Sequence, residues 1–161
     1  MPDPNVLTPS WEAELPAPFK LRGARVAAAA GARELGATLY ELEPGGAVSP
    51  YHLHHGNEEL VVVLSGTPSL RTPAGTRELE PGAVVAFVRG PDGAHQIRND
   101  SGAAARVLLV STKHVPDVAE HLDTGATLAL TGEAEGKVFP GGTDRPAQEM
   151  VVEAIAAAPE R

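Results

Sequence analysis

Glycine and proline punctuate this chain more heavily than any long helix tolerates. Among 161 residues there are 17 Gly and 15 Pro, spread between short apolar runs. Each such residue ends or bends a regular element, so the pattern reads as many turns and favours an all-β domain. The candidate strands are Ala37–Leu42, Val48–His54, Glu59–Leu64, Ser69–Thr72, Thr76–Leu79, Ala83–Val88, His95–Arg98 and Ala105–Ser111. Turn signals separate them: Pro44-Gly45-Gly46, His55-Gly56-Asn57, Ser65-Gly66, Pro73-Ala74-Gly75, Glu80-Pro81-Gly82, the Arg89–Gly93 loop and Asn99-Asp100-Ser101-Gly102. Short strands at this spacing predict a sandwich or barrel with hairpin connections. No repeat of the whole unit is visible, so a single domain over 1–161 is expected, with its barrel core at about 36–111.

The flanks read differently. Residues 1–35 form a Pro-rich arm in which Trp11 and Phe19 pack either onto the body or onto a second subunit, and Val26–Arg33 is ambiguous between helix and strand. In the extension 112–161, Thr112–Thr143 suggests an extra strand plus loops. Asp144-Arg145-Pro146 resembles a helix start, and Met150, Val151, Ala154, Ile155 and Ala158 recur at helical spacing.

The formal net charge is -8, and the 13 basic residues form no stripe. That argues against nucleic acid, which needs clustered Lys and Arg at phosphates, and against an anionic membrane surface. Cysteine is absent, which removes disulfides, thiol catalysis and thiolate ligands. No run approaches the roughly 20 apolar residues of a membrane span, and the N-terminus lacks the pattern of a signal peptide. The expected address is the cytoplasm.

Any metal site must therefore use imidazole and carboxylate. His52 and His54 are two apart, so on a strand both point to one face and both can reach one ion. The His55–Asn57 turn reverses the chain, and Glu59 opens the returning strand where it can face the same point. A borderline divalent ion accepts such a mixed nitrogen and oxygen set. His95 opens another buried-looking strand and can add a third imidazole, although spacing alone does not require it. His55, Glu58 and Tyr51 alternate away from that face. His114 and His121, in the tail, are not expected as ligands. Arg89 and Arg98 flank the His95 loop, and one of them can meet a substrate carboxylate, while Arg98, just before Asn99, is expected to stay solvated.

The spacing Gly46, five residues, His52, one residue, His54, four residues, Glu59, six residues, Gly66 resembles the first motif of the cupin superfamily. Gly82, five residues, Val88-Arg89-Gly90, then His95, three residues and Asn99 resembles the second. Two departures stand out: Val88 replaces the customary proline, and four residues rather than two separate Gly90 from His95. The resemblance implies a double-stranded β-helix (jelly-roll) barrel, with a C-terminal extension containing a short helix. It implies His52, His54, Glu59 and His95 as ligands of one divalent transition metal (Fe, Mn, Ni, Co or Zn). It also implies turn roles with positive φ for Gly46, Gly66, Gly82 and Gly90, and a structural Asn99. Cupins similar to this include dioxygenases, decarboxylases, sugar isomerases, sugar binders and storage proteins, and fold alone does not choose among them. The leading expectation is a metal-dependent oxidoreductase of dioxygenase type acting on a small oxygenated molecule. The alternatives are a metal-dependent sugar isomerase or epimerase, which should need an additional base that no tail residue announces, and a non-catalytic binding cupin. A homodimer is expected, because small barrels often cover exposed strand edges with a second copy.

Overall fold

A computed structural model describes residues 3–132 and 136–139. The expected helix at 144–158 lies outside them. Among the described residues there are thirteen strands: β1 (Ala13–Leu15), β2 (Leu21–Ala24), β3 (Leu35–Leu42), β4 (His52–His54), β5 (Glu59–Ser65), β6 (Ser69–Thr72), β7 (Gly75–Glu78), β8 (Val84–Phe87), β9 (Gln96–Arg98), β10 (Ala105–Thr112), β11 (Asp117–His121), β12 (Ala126–Leu130) and β13 (Gly136–Phe139). The ambiguous Val26–Arg33 segment forms one turn of helix, Val26–Ala29 (α1). Among the described residues no helix is long and apolar enough to cross a membrane.

The strands form two layers of antiparallel pairs. One layer is a six-stranded sheet in the order β1-β2-β3-β10-β5-β8. The other consists of the sheets β13-β12-β11-β4 and β7-β6-β9, joined by the isolated bridges His52↔His95 and Ala47↔Arg98. This is the jelly-roll arrangement that the resemblance implies, with the correction that among the described residues the ladders do not close into a continuous barrel. Alternation explains the packing of β5: Glu59, Val61 and Val63 are buried while Leu60, Val62 and Leu64 are only partly covered, as period-two geometry requires. Val61 and Val63 join Leu21, Leu42, Leu70, Leu79, Phe87, Ile97 and Val107 in the core between the layers.

The flanks depart from the sequence expectation. The described residues of the 112–143 stretch supply β11, β12 and β13 rather than one extra strand, and β11 pairs with β4 through Ala119↔His54, Glu120↔Leu53 and His121↔His52. The proposed strand Val48–His54 is strand only from His52, and His95 sits in a bridge just before β9. At the N-terminus, Phe19 packs against the core. Trp11 lies beneath Arg22 and Arg106, with guanidinium carbons 4.5 and 5.7 Å from its ring centre, and both arginines bond Glu41. Trp11 and Phe19 thus pack onto the chain's own body.

The glycine roles are split. Gly66, Gly82 and Gly90 have positive φ as expected. Gly46 does not, since the positive φ falls on Gly45. A Cβ at Gly46 would instead lie 2.6 Å from the Lys20 carbonyl oxygen and 2.8 Å from that of Phe19, so close backbone approach is what selects glycine there.

Asn99 is fully buried. Its Nδ2 donates to the carbonyls of Leu42 (2.9 Å) and Ala103 (2.7 Å), and its Oδ1 accepts from the Ser101 amide and hydroxyl. Asn99→Ala removes these four bonds, among them the buried one to the Leu42 carbonyl, so it is expected to destabilise the protein by about 2–4 kcal/mol, read as a lower urea midpoint with unchanged slope.

Candidate metal centre

Two strands and one bridge bring the expected donors together. β4 points His52 and His54 inward and turns Leu53 to the opposite side, where it packs with Tyr51 and Ala94. Tyr51 is buried rather than exposed, with the Arg71 guanidinium 4.0 Å from its ring centre, but it does face away from the donors. β5 carries Glu59 inward. Phe87, its register partner on β8, stacks on His95 with ring centres 3.7 Å apart and planes within 5°. The His52 and His95 backbones exchange two hydrogen bonds, 3.0 and 2.8 Å.

The Nε2 atoms of His52, His54 and His95 lie 3.8, 3.8 and 3.2 Å from Glu59 Oε2. The opposite ring nitrogens explain this orientation. His52 Nδ1 donates to the Pro50 carbonyl at 2.9 Å, His95 Nδ1 to the Gly93 carbonyl at 2.9 Å, and His54 Nδ1 to Asp117 Oδ2 at 2.6 Å. Each Nδ1–H is thereby committed and each Nε2 presents a lone pair inward, the tautomer a metal ligand needs. Donor atoms of His52, His54 and Glu59 all lie within 4.8 Å of one another, a group able to hold an ion. His95 lies nearest the carboxylate but outside that grouping.

The two inserted residues shape the approach to His95. Pro91–Gly93 makes a single 3₁₀ turn, and a Cβ on Gly93 would collide with the Val88 carbonyl oxygen. That contact sets the Gly93 carbonyl where it accepts the His95 Nδ1–H. The longer loop therefore keeps His95 pointed inward.

Electrostatics fit a cation. Glu59 Oε2 is buried and has no hydrogen-bond partner. Burial alone would raise the Glu59 carboxyl, but the nearby His95, His54 and His52 outweigh it and hold it below the usual carboxylate range. Burial, together with the neighbouring His95, pushes the His52 imidazole down to about 3. Each of the three imidazoles around this carboxylate already commits its Nδ1–H elsewhere, and a buried charge of this kind is costly without a fixed counter-charge. The donor chemistry thus suits a divalent metal.

Two further residues come from β11, on the face that Asp117, Ala119 and His121 share. Asp117 is buried; besides His54 it accepts from the Gly56 amide (2.7 Å) and Asn57 Nδ2 (2.8 Å). Burial pushes Asp117 up, but the bonds from Asn57, His54 and Gly56 hold it below its usual range. His121 is buried beside His52, with ring centres 6.2 Å apart. Burial, and His54 nearby, lower its imidazole. No local motif marks this pair. The only sequence signal is that two polar side chains, Asp117 and His121, alternate with Val118 and Glu120 onto one face.

The other candidates lie apart. Glu58 is exposed, and His55 bonds Glu120 at 2.6 Å. Arg98 pairs with Asp100 and Arg89 is exposed. A cleft of about 430 Å³ reaches His54 and Glu59, and its lining includes Arg33, Ser111, Lys113 and His114.

The shifts above set an acid dependence for the metal-free protein. His52 binds a proton more readily unfolded than folded, so its contribution is lost as pH falls from about 6.5 toward 3. Glu59 and Asp117, held low when folded, lose theirs as pH falls through their folded values. All three act in one direction, so the urea midpoint is expected to fall steadily from pH 7 to pH 4. A flat profile would contradict the described burial.

The cupin domain family profile matches residues 38–111, the span holding all four expected donors. No curated protein matches the sequence. Among solved structures, a cupin-superfamily sugar phosphate isomerase from Silicibacter pomeroyi superposes with a TM-score of 0.77 at 24% identity, over 91% of this chain and 98% of that one. A candidate sugar phosphate isomerase from Acidithiobacillus ferrooxidans gives 0.72 at 27% identity, over 84% and 86%. The polyketide cyclase RemF from Streptomyces resistomycificus gives 0.57 at 24% identity, over 73% and 83%. With its two motifs and its two-layered jelly roll, the chain carries a cupin domain over residues 38–111.

Proposed function

We propose that this protein is a divalent-metal enzyme that isomerises or epimerises a small polyhydroxylated molecule of the sugar or sugar-phosphate class. The metal part rests on one observation: three Nε2 atoms converge on a buried Glu59 oxygen that lacks a hydrogen-bond partner. In this reading His52, His54, Glu59 and His95 hold the ion. A bound divalent ion supplies Lewis acidity toward carbonyl and hydroxyl oxygens of a small molecule. The donor set does not choose among Fe, Mn, Ni, Co and Zn.

The protein's own groups do the rest. The Pro50 and Gly93 carbonyls and Asp117 fix the imidazoles. Such outer partners are commonly worth about 10–100-fold in metal affinity. Arg33 and Lys113 at the cleft that reaches His54 and Glu59 favour a substrate carrying an anionic group. The substrate class draws further support from the 27% likeness to the Acidithiobacillus ferrooxidans protein. This shifts the weight from the dioxygenase expectation, for which the open positions of a four-donor site are the only support, to the isomerase alternative. Exposed Leu15 on β1 and Val84 on β8, at the two edges of the six-stranded sheet, support a homodimer.

The double variant His52→Ala/His54→Ala is expected to lose its metal while keeping its far-ultraviolet β signature. Full metal content by elemental analysis in that variant would overturn the site. With metal-loaded wild-type protein and a panel of aldose and ketose phosphates in deuterated water, NMR is expected to show deuterium entering the carbon next to the carbonyl. Oxygen consumption without such exchange would instead favour the oxidative reading, and neither signal a binding protein.

A further inference from the structure

We infer that His121 is a ligand-contacting residue whose imidazole hydrogen-bonds an oxygen of the small molecule held beside the metal donors. The inference rests on the metal reading above and deepens it. The β11–β4 register sets His121 directly opposite His52, and cross-strand partners project to the same face. The rings stand edge-on with centres 6.2 Å apart. That separation keeps His121 out of the ligand group yet within a few atoms' reach of anything seated on it.

What distinguishes His121 is the state of its polar atoms. The three donor histidines each commit Nδ1 to a carbonyl or carboxylate. His121 Nδ1 is buried with no partner, on a residue only 6% exposed. Its other cross-strand neighbour is Ala126, whose methyl group can neither donate nor accept. The backbone carbonyl of His121 is satisfied by the Gly125 amide, so only the ring is left wanting. Buried polar atoms are nearly always paired, and an orphan calls for a partner the protein itself does not provide. A neutral imidazole both donates and accepts, as does a hydroxyl group. A hydroxycarbonyl or polyol is therefore the ligand chemistry that fits: two adjacent oxygens for the metal and a further oxygen for His121.

The test uses cobalt(II)-loaded full-length protein and glycolohydroxamate, whose adjacent oxygens chelate a divalent ion and whose hydroxymethyl group carries a third oxygen. Cobalt uptake and probe affinity are read from the visible spectrum for wild type, His121→Phe and His121→Gln. The expected result is unchanged cobalt stoichiometry and affinity in all three, roughly tenfold weaker probe binding in His121→Phe, and most of that loss restored in His121→Gln. The glutamine variant keeps a polar, flexible side chain and guards against a simple packing defect. Equal probe affinity in all three would overturn the inference and leave the orphan nitrogen to a buried water. A cobalt affinity that falls with His121→Phe would overturn it in favour of a metal-holding role. Wild-type protein that takes cobalt but no probe overturns it while the metal site stands, whereas wild-type protein that takes no cobalt removes the functional reading as well.

Discussion

The Glu59 carboxylate sits where an isolated chain has no reason to put one. Its Oε2 is buried, lacks a hydrogen-bond partner, and faces three imidazole nitrogens at 3.2–3.8 Å. Desolvating a carboxylate costs several kcal/mol unless a counter-charge or hydrogen bonds offset it. The rest of the architecture maintains that arrangement. β5 is held between β10 and β8, so Glu59 cannot swing outward without breaking a central strand. β4 is held between β11 and the His95 bridge, so His52 and His54 keep their face.

Support for the donors is local in two cases and distant in one. His52 and His95 each bond a carbonyl two residues back in the chain, so their orientation is written into adjacent turns. His54 depends on Asp117, 63 residues away. Gly56 makes that possible: a Cβ there would approach Asp117 Oδ1 to 2.8 Å, and its amide donates to the same oxygen. The strand that delivers Asp117 also delivers His121, so one pairing event completes both the metal surroundings and the wall next to them.

Much of this was legible in the sequence because it depends on short-range geometry. Alternation placed His52, His54 and Glu59 on inward faces and sent Glu58 and His55 outward. The glycine and proline punctuation located the strands, and the Asn99 role came from the resemblance of its motif. What the sequence hid depends on long-range pairing. Val48–Tyr51 looked like strand but is held by bridges and turns, since the chain must bend there to meet β9. The Gly46 role was misread because close approach of Lys20 and Phe19, not torsion, selects glycine. Thr112–Thr143 read as an extra strand plus loops, yet among its described residues the ladders that join β11, β12 and β13 to β4 make a sheet, and they bring His121, a tail residue not expected as a ligand, beside the donors.

The most direct test of the account is X-ray absorption spectroscopy at the metal edge of protein loaded with one equivalent of cobalt or zinc. The account predicts a shell of nitrogen and oxygen donors at about 2.0–2.2 Å, with outer-shell scattering that fits three imidazoles, and with one oxygen lost in Glu59→Gln. A spectrum that fits two imidazoles or fewer, or that is unchanged in Glu59→Gln, would contradict it.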